Sequence, residues 1–183
     1  MTIRAFLSIF VMPTLLIGCG STGSMQNDAE SVDFQKVITP ITVVDSTGSE
    51  IAHPFLGGFN APRPQFVDIN DSGDPDLFVQ ENSNELIFFQ NQDSELEWQS
   101  DKYRNLDIGE WYRFVDLDQD GDMDLLTEQP YSYIRYYRND GSPQNADFTL
   151  VSDTLKDAKG EPVFSDRQNI PNVTDIDCDG NLD

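Results

Sequence analysis

The sequence is poor in the residues on which many active sites depend. Its 183 residues include one histidine and two cysteines, with 11 basic residues against 33 acidic ones and a net charge of −22. Two cysteines cannot make a disulfide scaffold. A chain this acidic lacks the basic face that follows phosphates, so we expect no nucleic-acid partner. Gly-x-Ser-x-Gly and His/Cys clusters are also missing, and we expect a protein that is not an enzyme.

One uncharged apolar run is present, at the N-terminus over residues 5–18. Its length is too short to span a hydrocarbon core of about 30 Å as a helix but fits the apolar region of a secretory signal. The run ends in Leu16, Ile17 and Gly18 before Cys19, which resembles the lipobox of bacterial lipoproteins. The resemblance implies cleavage before Cys19 and lipidation of that residue. The alternative is an ordinary signal peptide that contains a cysteine.

The predicted organisation has three parts. Residues 1–18 form a lipoprotein signal peptide, residues 19–32 are the lipidated Cys19 and a flexible polar tether, and residues 33–183 are the folded domain. Because the protein's charge would repel anionic lipid, the lipid on Cys19 is the expected membrane anchor. Gly20 after the cysteine favours the outer membrane, by similarity to sorted lipoproteins.

The folded domain is built from a repeat. Residues 66–77, 114–125 and 173–183 share one pattern, and the first two segments lie 48 positions apart. The match continues beyond them at this offset and, with a two-residue insertion, aligns Trp98 with Phe148. Short aromatic and β-branched runs predict three or four strands per repeat, which suit a propeller blade. The predicted strands are at residues 77–79, 86–90, 125–127, 133–138 and 148–151, and the predicted turns are at residues 91–93 and 139–141.

The number of repeats predicts an incomplete ring. Residues 33–37 resemble residues 147–151, which predicts that the domain begins with the last strand of a preceding blade. About 2.5 repeats cannot close a propeller of four to eight blades. We therefore expect an all-β, partial propeller that is a fragment of a longer protein.

An acidic loop recurs in every repeat, with the pattern Asp-x-[Asp/Asn]-x-[Asp/Ser]-Gly-x-x-Asp. Glycine at the sixth position permits the tight curl that would bring the side-chain oxygens together. A cage of hard oxygen donors suits Ca²⁺ rather than zinc or copper. An EF-hand would need a glutamate at the twelfth position, where this chain has Val79 and Thr127. The alternative is a set of solvated acidic turns.

The loops and their flanking strands resemble the FG-GAP/VCBS repeats of bacterial surface proteins, whose blades resemble the integrin α-subunit propeller. The resemblance covers residues 33–183 and implies a calcium-binding, non-catalytic scaffold for adhesion or for binding an unidentified protein or glycan. It also implies that each loop coordinates Ca²⁺ through its first, third, fifth and ninth side chains and its seventh carbonyl. These ligands are Asp68, Asn70, Ser72, Asp74 and Asp76 in the first loop, Asp116, Asp118, Asp120, Asp122 and Asp124 in the second, and Asp175, Asp177, Asp179, Asn181 and Asp183 in the third.

The first loop departs from the charged pattern, because Asn70 and Ser72 are neutral. We therefore expect it to bind calcium less tightly than the second loop. A different functional class also remains open, namely a polysaccharide lyase or hydrolase on a similar propeller, with its active site beyond residue 183.

Overall fold

The computed structural model describes residues 35–142, 144–166 and 170–183. The predicted signal peptide, Cys19 and the tether lie outside the described residues. All of the strands belong to one unit, Val37–Asp183. No helix among the described residues is both long and apolar enough to cross a bilayer.

Two antiparallel sheets, each made of four consecutive strands, form this unit. Sheet 1 consists, in order, of β1 (Arg63–Val67), β2 (Asp76–Gln80), β3 (Leu86–Gln92) and β4 (Glu95–Ser100). Sheet 2 consists, in order, of β5 (Tyr112–Val115), β6 (Asp124–Gln129), β7 (Tyr133–Asn139) and β8 (Phe148–Ser152). A single 3-10 turn, Tyr103–Asn105, lies between the sheets in sequence. The all-β prediction and the five predicted strands are confirmed.

The register of the fourth strands corrects the predicted alignment. Phe89 of β3 pairs with Trp98, and Tyr137, which lies 48 positions later in β7, pairs with Leu150. Trp98 therefore corresponds to Leu150 and not to Phe148 as predicted, so the offset grows to 52. The reason is the longer connection between β7 and β8, whose length the sequence pattern did not reveal.

The chain before β1 contains no strand among its described residues, only an isolated bridge between Val44 and Glu50. The strand predicted over residues 33–37 is not present at residues 35–37. A strand needs a hydrogen-bonded neighbour, and neither sheet pairs with this segment. The segment instead places Leu56 against the apolar face of sheet 1.

The main core lies between the facing surfaces of the two sheets. Phe78 of β2 is fully buried, and its ring centre lies 4.5 Å from that of Phe114 in β5 and 5.0 Å from that of Tyr103. The Tyr112 hydroxyl donates a hydrogen bond of 2.8 Å to the carbonyl of Phe78. Aromatic packing and a buried hydrogen bond thus hold sheet 1 against sheet 2.

A side-chain amide also joins the two sheets. Gln65 Nε2 donates to the carbonyl of Phe114 at 2.9 Å, and the Phe114 N–H donates to Gln65 Oε1 at 3.0 Å. One glutamine therefore satisfies both backbone groups of a residue in the first strand of the next sheet.

The remaining faces of the sheets differ in what covers them. Sheet 2 packs a cluster containing Trp111 and Leu126 against apolar residues of the chain that follows β8. On the outer side of sheet 1, Phe66 is 63% exposed. Phe114, at the same position of the repeat in sheet 2, faces the core between the sheets and is 5% exposed. Leu56 and its neighbours cover part of the outer face of sheet 1, so the exposed part of that face lies around Phe66.

Candidate metal sites in the acidic loops

The three acidic loops, residues 68–76, 116–124 and 175–183, are called loops 1, 2 and 3. Loop 1 joins β1 to β2 and loop 2 joins β5 to β6. Strand pairing closes both loops at their bases, because Val67 pairs with Asp76 and Val115 pairs with Asp124. The ninth loop residue is therefore also the first residue of a strand.

A common backbone conformation is present in all three loops. In loop 2 the Asp120 N–H donates to Asp116 Oδ1 at 3.1 Å and the Gly121 N–H donates to Asp116 Oδ2 at 3.0 Å. The equivalent hydrogen bonds in loops 1 and 3 measure between 2.8 and 3.1 Å. The first aspartate thus organises each loop, although Asn70 and Ser72 change the composition of loop 1.

Left-handed backbone explains the glycine of each loop. Gly121 has φ of +99°, and a Cβ built there would meet nothing within 4 Å, so conformation rather than space requires glycine. The fourth loop residues, Asp71, Gln119 and Cys178, are also left-handed, with φ of 53°, 60° and 63°. The exposed thiol of Cys178 therefore occupies a turn position that other residue types fill in the sister loops.

Carboxylates converge in two of the loops. Asp116, Asp118 and Asp120 of loop 2 offer oxygens that all lie within 4.8 Å of one another. In loop 3 the same is true of a group that consists of Asp175, Asp177 and Asp183. The structure does not bring Asp124 into the loop 2 group or Asp179 into the loop 3 group. Within the described ranges, loop 1 forms no such group.

The ninth aspartate of loop 2 is buried and anchored. Asp124 is 1% exposed, and its Oδ1 accepts a hydrogen bond of 2.8 Å from the N–H of Asn139. Its Oδ2 accepts from the Tyr136 hydroxyl at 2.9 Å and from the Leu117 N–H at 3.2 Å. Burial raises the pKa of Asp124, and these hydrogen bonds oppose the rise. Asp124 thus ties loop 2 to β7.

In loop 1 the ninth aspartate is less well satisfied. Asp76 is fully buried and its Oδ1 accepts a hydrogen bond of 2.7 Å from the Asn91 N–H. Its Oδ2 makes no hydrogen bond of good geometry among the described residues, and Phe88 stands where sheet 2 has the hydroxyl of Tyr136. Burial raises the pKa of Asp76, although the backbone of Asn91 and that of Ile69 act to lower the pKa of this carboxyl. Buried polar atoms normally have a partner, so a carboxylate oxygen without a good hydrogen bond beside an acidic loop fits a bound cation.

Like charges crowd the edge on which loops 1 and 2 lie. The pKa of Asp122 in loop 2 is raised, first by desolvation and then by the carboxylates of Asp120, Asp116, Asp71 and Asp118. Since Asp71 belongs to loop 1, the two loops lie close enough to interact electrostatically. A cation at this edge would reduce the repulsion between them.

Sequence reasoning missed the residues that connect the loops to the third strands. Asn91 and Asn139 lie 48 positions apart, and sequence reasoning assigned both to the predicted turns at residues 91–93 and 139–141. The structure places both in strands, where each donates its N–H to the ninth aspartate of the preceding loop. The shared offset of 48 was the only signal of this role.

The fold and the loops define a protein of repeated four-stranded sheets with an acidic loop between the first two strands of each sheet. Residues 68–127 match the family model of the FG-GAP-like repeat, from the first residue of loop 1 into β6. Residues 68–127 therefore contain an FG-GAP-like repeat, and the resemblance found from the sequence is confirmed for this segment. No curated protein and no solved structure matches the chain.

Proposed function

We propose that the protein is a calcium-binding, non-catalytic surface scaffold that presents its propeller-type repeats to a protein or glycan ligand. FG-GAP-type repeats are typical of ligand-binding or adhesion scaffolds. The observation that carries the calcium part is the common conformation of the three loops, in which the first carboxylate accepts two backbone N–H bonds. These bonds fix the first carboxylate where, in loops 2 and 3, its oxygen lies within 4.8 Å of those of two further aspartates.

The chemistry of the donors supports Ca²⁺ in particular. Loop 2 would hold the ion through the oxygens of Asp116, Asp118 and Asp120, with the Asp122 carbonyl as a further ligand. Carboxylate and carbonyl oxygens suit Ca²⁺, and bidentate carboxylates or water would complete the six to eight oxygens that this ion prefers. Bound calcium would supply positive charge where like charges otherwise repel each other. The role of calcium here is structural, since it would fix the loops that close the first two strands of each sheet.

The stacking of the sheets supports a propeller with further blades. Phe66 exposes the position that Phe114 buries against the preceding sheet. Loop 3 repeats the conformation of loops 1 and 2 after β8. Each end of the pair of sheets therefore has the features of a blade boundary.

A lipid anchor on Cys19 would place this scaffold at the outer membrane. The support is the uncharged run over residues 5–18 that ends at this cysteine. Cys19→Ala should move the protein from the detergent phase to the aqueous phase in a phase-partitioning assay. Unchanged partitioning would show that lipid on this residue does not hold the protein at the membrane.

Isothermal titration with Ca²⁺ tests the metal proposal directly. Wild type should bind calcium with a stoichiometry of two or three, and Asp116→Ala should lose one site because it removes the organising carboxylate of loop 2. Glu97→Gln, at an exposed position of β4 outside the loops, is the matched control for loss of one charge and should leave the stoichiometry unchanged. If wild type gives no heat of binding with Ca²⁺, the calcium proposal is wrong and the loops are solvated acidic turns.

A further inference from the structure

A small pocket lies beside loop 1, between sheet 1 and the connection from β7 to β8. Its volume is about 190 Å³. Phe88 and Tyr103 give it an apolar floor, and Asn70, Gln90 and Arg104 supply polar groups. The pocket is smaller than the roughly 300–1,000 Å³ of a complete small-molecule site, so it suits one residue of a longer ligand.

Arg104 is the cation of this pocket, and its charge is not neutralised by the fold. Its Nη2 donates to the side-chain oxygen of Asn145 at 2.9 Å, and its guanidinium lies 5.7 Å from the centre of the Tyr103 ring. Arg135 and Arg138, in contrast, form salt bridges of 2.6 to 2.8 Å with aspartates. Within the described part of the chain, no such pair involves Arg104. Arg63 and Arg113 likewise form no salt bridge within the described residues, but neither of them lines this pocket.

The backbone holds Arg104 in an uncommon conformation. Arg104 and Asn105 are both left-handed, with φ of 52° and 55°. Side chains other than glycine seldom adopt this region, and such residues concentrate at ligand sites. Buried Tyr103 fixes the turn from below, because its ring packs edge-on against Phe78 at 5.0 Å. The turn therefore presents the guanidinium from a rigid base.

We propose that this pocket binds an acidic sugar residue, a uronate, within a polysaccharide. The planar guanidinium matches a carboxylate through two parallel hydrogen bonds. Asn70 Oδ1 accepts the Ser72 N–H at 3.1 Å, which leaves its Nδ2 to donate, and the Gln90 amide can both donate and accept, as the hydroxyls of a sugar require. The apolar floor suits the C–H face of a sugar ring. An acidic peptide could also pair with Arg104 and the amides, but the aromatic floor of the pocket fits the C–H face of a sugar ring, which favours the sugar.

The distribution of charge permits an anion at this place despite the net charge of −22. Asn70 and Ser72 of loop 1 are neutral where loop 2 has Asp118 and Asp120. Loop 1 still carries four aspartates, as many as loop 3 and one fewer than loop 2, and Arg104 supplies the positive charge that an anion would contact. This inference rests on the ligand-binding role proposed above and names the ligand class.

Calorimetric titration of the purified protein with tetragalacturonate, and with the neutral galactose tetramer, tests the inference at an ionic strength of about 0.15 M. Wild type should bind the acidic oligomer at least about tenfold more tightly than the neutral one. Arg104→Asn should remove that preference, since asparagine tolerates left-handed backbone but carries no charge. Arg104→Lys should recover only part of it, because lysine lacks the fork geometry. Lys102→Asn, an equal change of charge in an exposed neighbour, should bind like wild type.

Three results would overturn the inference: equal affinity for the acidic and neutral oligomers, wild-type affinity in Arg104→Asn, or tetraglutamate binding as tightly as the sugar. Thermal melts with calcium and with chelator on the same samples separate this inference from the calcium proposal. A normal calcium shift without sugar binding overturns the pocket assignment alone. Sugar binding without a calcium shift overturns the calcium proposal alone.

Discussion

Removing one charge from loop 2 should have opposite effects with and without calcium. The change is Asp120→Asn, which removes a carboxylate that lies within 4.8 Å of those of Asp116 and Asp118. Asparagine keeps an oxygen that can accept the Asp122 N–H, which donates to Asp120 Oδ1 at 2.9 Å. The loop conformation should therefore survive, and the difference between the two proteins should report charge.

The separation of the carboxylates sets the size of the effect in chelator. Two unit charges 4.8 Å apart in water repel by about 0.9 kcal/mol, and Asp120 has two such neighbours, so removing its charge relieves roughly 2 kcal/mol of repulsion before salt reduces this further. Asp120→Asn should thus be as stable as wild type or slightly more stable. For a domain of this size about 1 kcal/mol corresponds to about 2–4 °C in Tm.

Calcium should reverse the order of the two proteins. Calcium at about 100 times its Kd stabilises a fold by about 2.7 kcal/mol per site. If the lost carboxylate raises Kd about tenfold, the variant loses about 1.4 kcal/mol of this stabilisation. The calcium-dependent rise in Tm should then be smaller by about 3–6 °C than that of wild type.

Differential scanning calorimetry in calcium and in chelator measures both effects on one instrument. Glu95→Gln in β4, exposed and outside the loops, is the matched control and should show the full calcium shift. An identical calcium shift in wild type and Asp120→Asn would refute the assignment of Asp120 as a ligand. An identical Tm of wild type in calcium and in chelator would refute calcium binding altogether.

Three further predictions concern loop 1, pH and the packing of the sheets. Ser72→Asp supplies the missing carboxylate of loop 1 and should enlarge the calcium-dependent rise in Tm; no change would show that this position faces away from the ion. Burial raises the pKa of Asp124 in the folded state, so protonation of this group stabilises the fold below its unfolded value of 3.8, and that contribution is lost as pH rises through the folded pKa. In chelator, the Tm of wild type should therefore fall more between about pH 4 and 7 than the Tm of Asp124→Asn, and parallel curves would contradict the raised pKa. Phe114→Ala should lower the free energy of unfolding in urea by about 3–5 kcal/mol and Phe66→Ala by less than about 1 kcal/mol; equal losses would contradict the described packing of the sheets.

The sequence predicted the repeated elements because the same chemistry recurs at a fixed offset. Apolar residues and turn signals identified five strands, and the acidic pattern located all three loops. The alignment failed after β7, since the length of a connection is not encoded in the strands that it joins. Trp98 and Phe148 are both aromatic, but pairing with β3 and β7 places them at different positions of the repeat.

Within the candidate site, the sequence predicted which residues form the loops but not which of them are exposed and which are buried and hydrogen-bonded. Asp118 and Asp124 look equivalent in the pattern, yet one is exposed and the other is buried under three hydrogen bonds. That difference depends on Tyr136, which is distant in sequence from the loop. Arg104 belongs to no motif at all, and only the fold brings it beside Asn70.

The glutamine between the sheets makes the order of the repeats matter. Gln65 satisfies the N–H and the carbonyl of Phe114 because an amide both donates and accepts, in the manner of a peptide group. The residue 48 positions later is Arg113, which can only donate. A sheet that followed sheet 2 could not be held by the same pair of bonds. The two sheets are therefore not equivalent. A protein engineered with their order swapped would lose both side-chain hydrogen bonds between the sheets.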